Sequence, residues 1–289
     1  MRRRGFDIDS NDNSLFVTSQ CDNNCLMCCQ PPRRTDDIEV LFKRNVNLLE
    51  KAPAGLETIG ITGGEPTLLG DKLITLVRMI RERMPDTIIH ILSNGRHFQN
   101  ARYTLRLAEA GGENLVVGVP LHSDYEKDHD IIARAKGAYK ETLNGLYNLS
   151  GAGVDIELRV VINRLNCKRL EDMALFIHRN LYFVSWTAFM GMEYTGCAIR
   201  NSSTIWAEPC QYAENLSKAV ELLDGWGHKA DIYNIPLCLL TEKSRRFARK
   251  SISDWKVKYD VACGECGKKD ECCGLFSTSK RIYQGLHNI

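Results

Sequence analysis

Short β-rich runs alternate with longer helix-patterned stretches along most of the chain. Strands are predicted at Ser14–Thr18, Glu57–Thr62, Thr87–Leu92, Asn114–Val119, Val154–Ile162 and Phe183–Phe189. Helical patterns lie between them near 38–51, 71–84, 100–111, 138–150 and 169–181, with another near 210–224. In the second, Leu73, Leu76, Val77, Ile80 and Met84 recur on one apolar face. Leu216, Val220 and Leu223 form a similar stripe in the last. Alternation of this kind predicts an α/β fold with a parallel sheet and right-handed crossovers. Six units suit a partial (β/α)6 barrel or a full barrel, with chemistry at the C-terminal ends of the strands. The unusual stretches do follow strands. QCDNNCLMCCQPP comes after the first, TGGEPT after the second and SNGRH after the third.

The fifth strand, VDIELRVVIN, puts Ile156, Leu158, Val160 and Ile162 on one face and Asp155, Glu157, Arg159 and Asn163 on the other. Two readings are open. Either Glu157 and Arg159 point into a barrel interior as candidate catalytic groups, or this is an edge strand with a solvated polar face.

Composition narrows the class. The 289 residues are 44% hydrophobic and 26% charged, ordinary for a globular protein, with no internal repeat. We place the barrel in residues 1–200 and a C-terminal extension in 201–289. A net charge of +2 gives no case for long nucleic acid or an anionic membrane, and the basic tip MRRR is too short for either. No apolar run approaches the roughly 20 residues of a membrane span. No signal-peptide core follows the start, so a cytoplasmic protein is expected. In a reducing compartment, closely spaced cysteines point to metal or catalysis before disulfides. Four of the twelve lie at 21–29 and four at 263–273, which predicts two metal sites.

Cys21, Cys25 and Cys28 read C-x-x-x-C-x-x-C. Cuboidal four-iron clusters usually take four cysteines, so three leave one iron open to another ligand. A zinc site is the plainer alternative. One βα unit later, Gly63 and Gly64 let backbone approach a ligand closely. Glu65 offers a carboxylate suited to an ammonium group.

With these motifs in this order, the sequence resembles the radical S-adenosylmethionine (SAM) superfamily. The resemblance implies that Cys21, Cys25 and Cys28 hold a [4Fe-4S] cluster whose open iron chelates SAM. It implies that Gly63, Gly64, Glu65 and Pro66 hold the SAM amino group, and that Ser93 and Asn94 lie near SAM. One electron then splits SAM, and the 5′-deoxyadenosyl radical takes a hydrogen from the substrate. Met27 stands where an aromatic residue often lies beside the adenine. The fourth strand departs from the pattern of peptide-modifying members. Pro120 replaces the expected serine, Arg134 is one position late, and Ser123 is left as a weak candidate for ribose or carboxylate contact.

The segment CGECGKKDECCGLF resembles the auxiliary-cluster region of peptide-modifying members. Cys263, Cys266 and Cys272 are the expected ligands of a second [4Fe-4S] cluster, with Cys272 preferred to Cys273 on spacing. Cys238 is the fourth candidate, with Cys197 or Cys210 behind it, and zinc on the same thiolates stays open. Cys29 and Cys167 are expected to be unligated.

Further stretches, including KGAYKETLNGLYNL, ELRVVINRLN, FMGMEYTGCAIRN and SISDWKVKYD, resemble the C-type His-Xaa-Ser system radical SAM maturases. That implies a ribosomally made peptide substrate with His-Xaa-Ser repeats and a second radical SAM maturase as partner. An electron donor such as flavodoxin or ferredoxin is also expected. Glu193 or Tyr194 would lie near the substrate. The competing readings are a radical SAM enzyme acting on a nucleoside or other small metabolite, and a zinc-stabilised scaffold without catalysis.

Overall fold

The computed structural model describes residues 6–10 and 12–289, and the basic tip MRRR lies outside the described residues. Seven parallel strands form one sheet in sequential order. They are β1 (Ser14–Phe16), β2 (Thr58–Thr62), β3 (Ile88–Leu92), β4 (Leu115–Pro120), β5 (Asp155–Val161), β6 (Trp186–Met190) and β7 (Ala230–Tyr233). The helices are α1 (Ile38–Glu50), α2 (Asp71–Arg83), α3 (Ala101–Gly111), α4 (Glu126–Ala133), α5 (Ala138–Gly151), α6 (Leu170–Asn180), α7 (Cys197–Arg200), α8 (Ser202–Ile205) and α9 (Ala213–Gly225). The six predicted strands and six predicted helices are all present. The α/β alternation and the cysteine-rich C-terminal region are as expected.

What periodicity missed is short. β7 spans four residues and pairs in parallel with β6, so the sheet has seven strands where six were expected. Helix α4 carries EKDHDIIA, too short and too charged for a clear apolar face. It ends on Arg134 in the left-handed conformation, φ 51°. A small antiparallel pair, β8 (Val257–Lys258) with β9 (Leu275–Phe276), brackets the last cysteines.

The chain forms two compact units that interleave in sequence. The first comprises the described residues up to Asn24, then Gln30–Pro120 and Gly137–Glu157. The second comprises Cys25–Cys29, Leu121–Lys136 and Leu158–Ile289. In the first unit, Leu15, Ile59, Ile61, Ile89, Ile91, Leu115 and Val117 are fully or almost fully buried strand residues. Leu73, Leu76, Val77 and Ile80 of α2 are buried as the apolar stripe requires. In the second unit, Met173, Ala174 and Ile177 of α6 and Leu216, Val220 and Leu223 of α9 are buried, and α6 packs on α9.

The expectation for β5 resolves in favour of the interior. It is flanked by β4 and β6, so the edge-strand reading fails. Ile156, Leu158 and Val160 have no exposure, and Glu157 on the other face is also buried, at 5%.

Helix α5 packs against the turn that follows β3 because Gly145 has no side chain. A β-carbon there would lie 2.1 Å from the Gly95 carbonyl oxygen, where only backbone movement could relieve it. Gly145→Ala is therefore expected to destabilise the chain by about 1–3 kcal/mol, the usual cost of overpacking. Denaturant titration followed by far-ultraviolet circular dichroism measures this. An unchanged midpoint would mean that the turn yields freely.

Candidate active site

The cysteine loop begins as the chain leaves β1. Thr18 Oγ1 donates to Asp37 Oδ1 at 2.8 Å and Ser19 Oγ to Asp37 Oδ2 at 2.6 Å, fixing the loop entrance on the start of α1. The GGEP segment then lies directly against it. The Gly64 amide donates to the Thr18 carbonyl and the Glu65 amide to the Gln20 carbonyl, each at 2.7 Å. A β-carbon on Gly63 would sit 2.4 Å from the Thr18 oxygen, and one on Gly64 would sit 1.9 Å from the Gln20 oxygen. The glycines were expected to admit a ligand. What they admit here is the backbone entering the cysteine loop.

Glu65 also differs from its sequence reading. Its side chain has no exposure. Oε1 accepts from the Thr67 amide at 3.0 Å, from Thr67 Oγ1 at 2.7 Å and from Ser93 Oγ at 2.7 Å. Oε2 accepts from the Asn94 amide at 2.7 Å. Burial pushes its pKa up, against these donors. Four donors satisfy a carboxylate that is sealed from solvent, so Glu65 ties the end of β2 to the end of β3. Ser93 and Asn94, expected near SAM, are both buried and are the β3 half of this tie.

From the same turn, Asn94 Nδ2 donates to Asp22 Oδ1 at 2.6 Å. Arg96 Nη1 reaches the Asp22 carbonyl at 3.0 Å, Asn23 Oδ1 at 2.8 Å and the Asp22 carboxylate at 3.1 Å, while its Nε bonds Glu141 of α5. His97 Nε2 lies 3.4 Å from the same carboxylate. Burial alone would raise the Asp22 pKa. The hydrogen bonds from His97 and Asn94 and the charge of Arg96 outweigh it and hold the group below the usual range. SNGRH is therefore a clamp on the residues between Cys21 and Cys25. The sequence signal for Arg96 and Asp22 is their charge inside two motifs.

Within the second unit, Cys25, Met27 and Cys28 are held by different partners. The Leu26 amide donates to the Ile132 carbonyl of α4 at 2.9 Å, and Asn201 Nδ2 donates to the Leu26 carbonyl at 2.9 Å. The Cys197 amide donates to the Cys28 carbonyl at 2.8 Å, beside Gly196. Met27 is buried with Ile132, Met192, Trp206, Leu275 and Tyr283 in an apolar cluster. The imidazole of His122, at the end of β4, places Nε2 4.0 Å from Cys25 Sγ. Burial and the nearby His129 pull the His122 pKa down to about 3, so the ring is neutral. Ser123 is fully buried, and its hydroxyl accepts from the Tyr125 amide at 3.1 Å to turn the chain into α4.

On β5, Glu157 Oε2 meets His90 Nε2 of β3 at 2.9 Å. Gly118 of β4 leaves room between them: a β-carbon there would lie 3.0 Å from that carboxylate and 3.1 Å from that ring. His90 is the partner that sequence reasoning missed. Arg159 instead turns its guanidinium onto Met190 Sδ, at 3.3 and 3.4 Å.

The C-terminal cysteines converge. Cys238, Cys263, Cys266 and Cys272 line one open pocket with Leu275, Leu286, His287 and Tyr259. Cys272 Sγ accepts from the Leu237 amide at 3.4 Å and the Gly274 amide at 3.5 Å. Its neighbour Cys273 is buried and directs its sulfur to the Gly274 carbonyl at 3.4 Å. The Cys273 thiol and those amides lower the Cys272 pKa to about 6, while the bond to Cys272 and burial raise that of Cys273. Cys210 is exposed, and Cys197 is buried beside Arg200. Cys29 is exposed and Cys167 is buried. No disulfide joins any of the twelve cysteines. Among the described residues no helix is long and apolar enough to cross a membrane.

A family model described as the radical SAM superfamily matches residues 15–177, over half of the chain, and the chain belongs to that superfamily. Among curated proteins it is 24% identical over 162 residues to the sporulation killing factor maturation protein SkfB of Bacillus subtilis (strain 168), covering 55% of this chain and 38% of that protein. It is 29% identical over 176 residues to GTP 3′,8-cyclase of Campylobacter jejuni subsp. doylei, covering 58% and 50%. The chain thus spans half or less of these relatives. Among solved structures, anSMEcpe with bound AdoMet and Cp18Cys peptide superposes with a TM-score of 0.64 at 13% identity, covering 95% of this chain and 91% of that one. At that identity the likeness is one of fold.

Arg96 makes its loop contacts with a largely buried guanidinium, and charge-assisted hydrogen bonds contribute roughly 1.5–3 kcal/mol each. In Arg96→Ala, amide exchange at residues 22–24 is expected to speed by about tenfold or more, with exchange in α2 unchanged. Hydrogen–deuterium exchange read by mass spectrometry checks it. Equal exchange in both proteins would show that Asn94 and the backbone suffice.

Proposed function

We propose that the chain is a radical SAM enzyme that modifies a ribosomally made peptide by hydrogen abstraction. The observation that carries the reading is the three-cysteine loop seated by backbone bonds on the GGEP strand end. The donor set fits a cluster with one open iron: three thiols and no fourth ligand from Cys29, which has no assigned part. Cys21, Cys25 and Cys28 would hold a [4Fe-4S] cluster. Bound there with SAM, it supplies the 5′-deoxyadenosyl radical on receiving one electron. A flavodoxin or ferredoxin is the class of donor that fits.

The rest falls to this chain's own groups. The four bonds to Glu65 leave its carboxylate little freedom to meet an ammonium group. In our reading the half-buried backbone of Gly63 and Gly64, with Glu65 and Pro66 buried behind it, would therefore receive the SAM amino group. Ser93 and Asn94 hold that backbone in place, and Met27 supplies an apolar wall. Ser123 has no role here because its hydroxyl is committed to a turn. Glu157, with His90, and Arg159 are the candidate polar groups toward substrate.

We assign residues 1–200 to the six-strand barrel and 201–289, which adds β7 to the sheet, to an extension whose Cys238, Cys263, Cys266 and Cys272 would hold a second [4Fe-4S] cluster. Sulfurs around a cuboidal cluster stand farther apart than those around one ion. The four cysteines share one pocket, and the family resemblance favours a group of that span over zinc.

SkfB, named as a maturation protein, and anSMEcpe, solved with a peptide, support a peptide substrate. The family resemblance narrows it to His-Xaa-Ser repeats, with a second radical SAM maturase as partner. A small metabolite is the second reading, favoured by the 29% identity to GTP 3′,8-cyclase.

Anaerobically reconstituted protein is expected to hold about eight irons, two four-iron clusters, and to form 5′-deoxyadenosine from SAM with dithionite. Replacing Cys21, Cys25 and Cys28 together by Ala should abolish that product and remove about half the iron. Product formation that survived would defeat the loop assignment, and zinc without iron would defeat the enzyme. Co-expression with a His-Xaa-Ser peptide, read by mass spectrometry, should give a discrete mass change. An unmodified peptide, with consumption of a nucleotide instead, would move the assignment to the second reading.

A further inference from the structure

The end of β4 presents a buried imidazole to the cysteine loop, and no motif accounts for it. His122 is 4% exposed. Its backbone is fixed on both sides: the amide donates to His129 Nδ1 at 3.2 Å, and the carbonyl accepts from Asn166 Nδ2 at 2.9 Å. The ring stands 5.1 Å from that of His129, tilted by 41°. Two ring nitrogens are thus left to find partners inside the protein. Among the described residues Nδ1 is buried with no hydrogen-bond partner, and Nε2 lies 4.0 Å from Cys25 Sγ, at the long end of the range for a sulfur acceptor.

The position of the proton follows from what each choice leaves unmade. A proton on Nδ1 would be a buried donor without an acceptor, which costs about 1–3 kcal/mol. With Cys25 deprotonated, as a cluster ligand is, it would also set the Nε2 lone pair against the lone pairs of the sulfur. A proton on Nε2 turns that repulsion into an N–H···S bond and leaves only an unfilled acceptor at Nδ1. The partner of one nitrogen decides the tautomer of the ring.

We infer that His122 is a positioning residue for Cys25, its Nε2–H donating to the sulfur and setting how much charge that sulfur carries. This rests on the reading of Cys25 as a cluster ligand. Hydrogen bonds to cluster sulfurs and other contacts behind the ligands tune reduction potential. A donor on sulfur withdraws electron density and makes the reduced state easier to reach. The asymmetry is part of the inference: the donor is aimed at the middle cysteine of the loop. Cys21 Sγ has a backbone neighbour instead, the Asn23 amide at 3.4 Å.

Two measurements test it, one of them without any metal. In the metal-free full chain, Cys25 is alkylated with iodoacetamide near neutral pH and quantified by peptide mapping, with Cys28 as internal reference. His122→Phe keeps the volume and removes the donor, so Cys25 should react several-fold more slowly because less of it is thiolate. His122→Gln, which restores an N–H near the same place, should recover most of the rate. A structural role alone would loosen the loop and speed labelling. Faster or unchanged labelling in His122→Phe would overturn the inference. If that variant is insoluble, His122→Leu makes the same comparison.

In the reconstituted protein, an electron paramagnetic resonance redox titration reads the second effect. His122→Phe should shift the reduction equilibrium of the cluster about tenfold toward the oxidised state, which is ~59 mV for one electron. No shift relative to wild type would overturn the tuning role. If the wild-type chain assembles no cluster at residues 21–28, the functional reading fails, while the alkylation result still decides the contact.

Discussion

A carboxylate sealed from water holds the strand ends of the first unit together. Glu65 accepts hydrogen bonds from the Thr67 amide and hydroxyl, the Ser93 hydroxyl and the Asn94 amide. Burying a carboxylate is costly unless nearby donors replace the lost hydration. Those donors come from the turns after β2 and β3, so the two turns must take their observed shapes together. Gly63 and Gly64 then bring the residues entering the cysteine loop to within direct backbone bonding of the same segment. The loop, GGEP and SNGRH thus behave as one assembly, although they are separated in sequence.

Around that assembly several charged residues support one another. Asp22 gathers Asn94, Arg96 and His97, and Arg96 in turn anchors on Glu141 of α5. Such a network restricts the loop more than any single bond, because each member fixes the geometry of the others. A loop that is to bind metal, as proposed for this one, would benefit from this restriction. Ligands held in place before the metal arrives lose less conformational entropy when it binds.

In the second unit the organising principle is apolar. Met27, Met192, Trp206, Leu275 and Tyr283 form a buried cluster, with Cys25, Leu239 and Leu286 packed against it. Trp206 stacks on Tyr283 at 5.4 Å, and the Tyr283 hydroxyl is satisfied by the Met192 carbonyl. Leu275 and Leu286 also line the cavity of the C-terminal cysteines. The same packing therefore supports Cys25 and the walls of that cavity. Within the adjacent pair, Cys272 faces the cavity among amide donors while Cys273 turns its sulfur to a carbonyl. Cys273 is engaged by its neighbour and by that carbonyl, which leaves Cys272 as the member of the pair that lines the pocket.

The chain's own sequence determined the order and extent of the main elements, because burying one face of a strand or helix writes a period of 2 or 3.6 into the residues. It also set C-x-x-x-C-x-x-C and GGEP just past strands. The four-residue β7 and the polar α4 escaped, being too short or too charged to show a period. Roles that depend on distant partners were decided only by the tertiary structure. Glu65 looked like a ligand because a carboxylate after two glycines suits an ammonium group, yet the fold surrounds it with donors from two strand ends. Gly63 and Gly64 were read as room for a ligand, and the fold fills that room with the backbone of residues 18–20. His90 and His122 carry no motif. Each acquires its partner, Glu157 or Cys25, across 67 and 97 positions of chain, and no local pattern records a contact of that range.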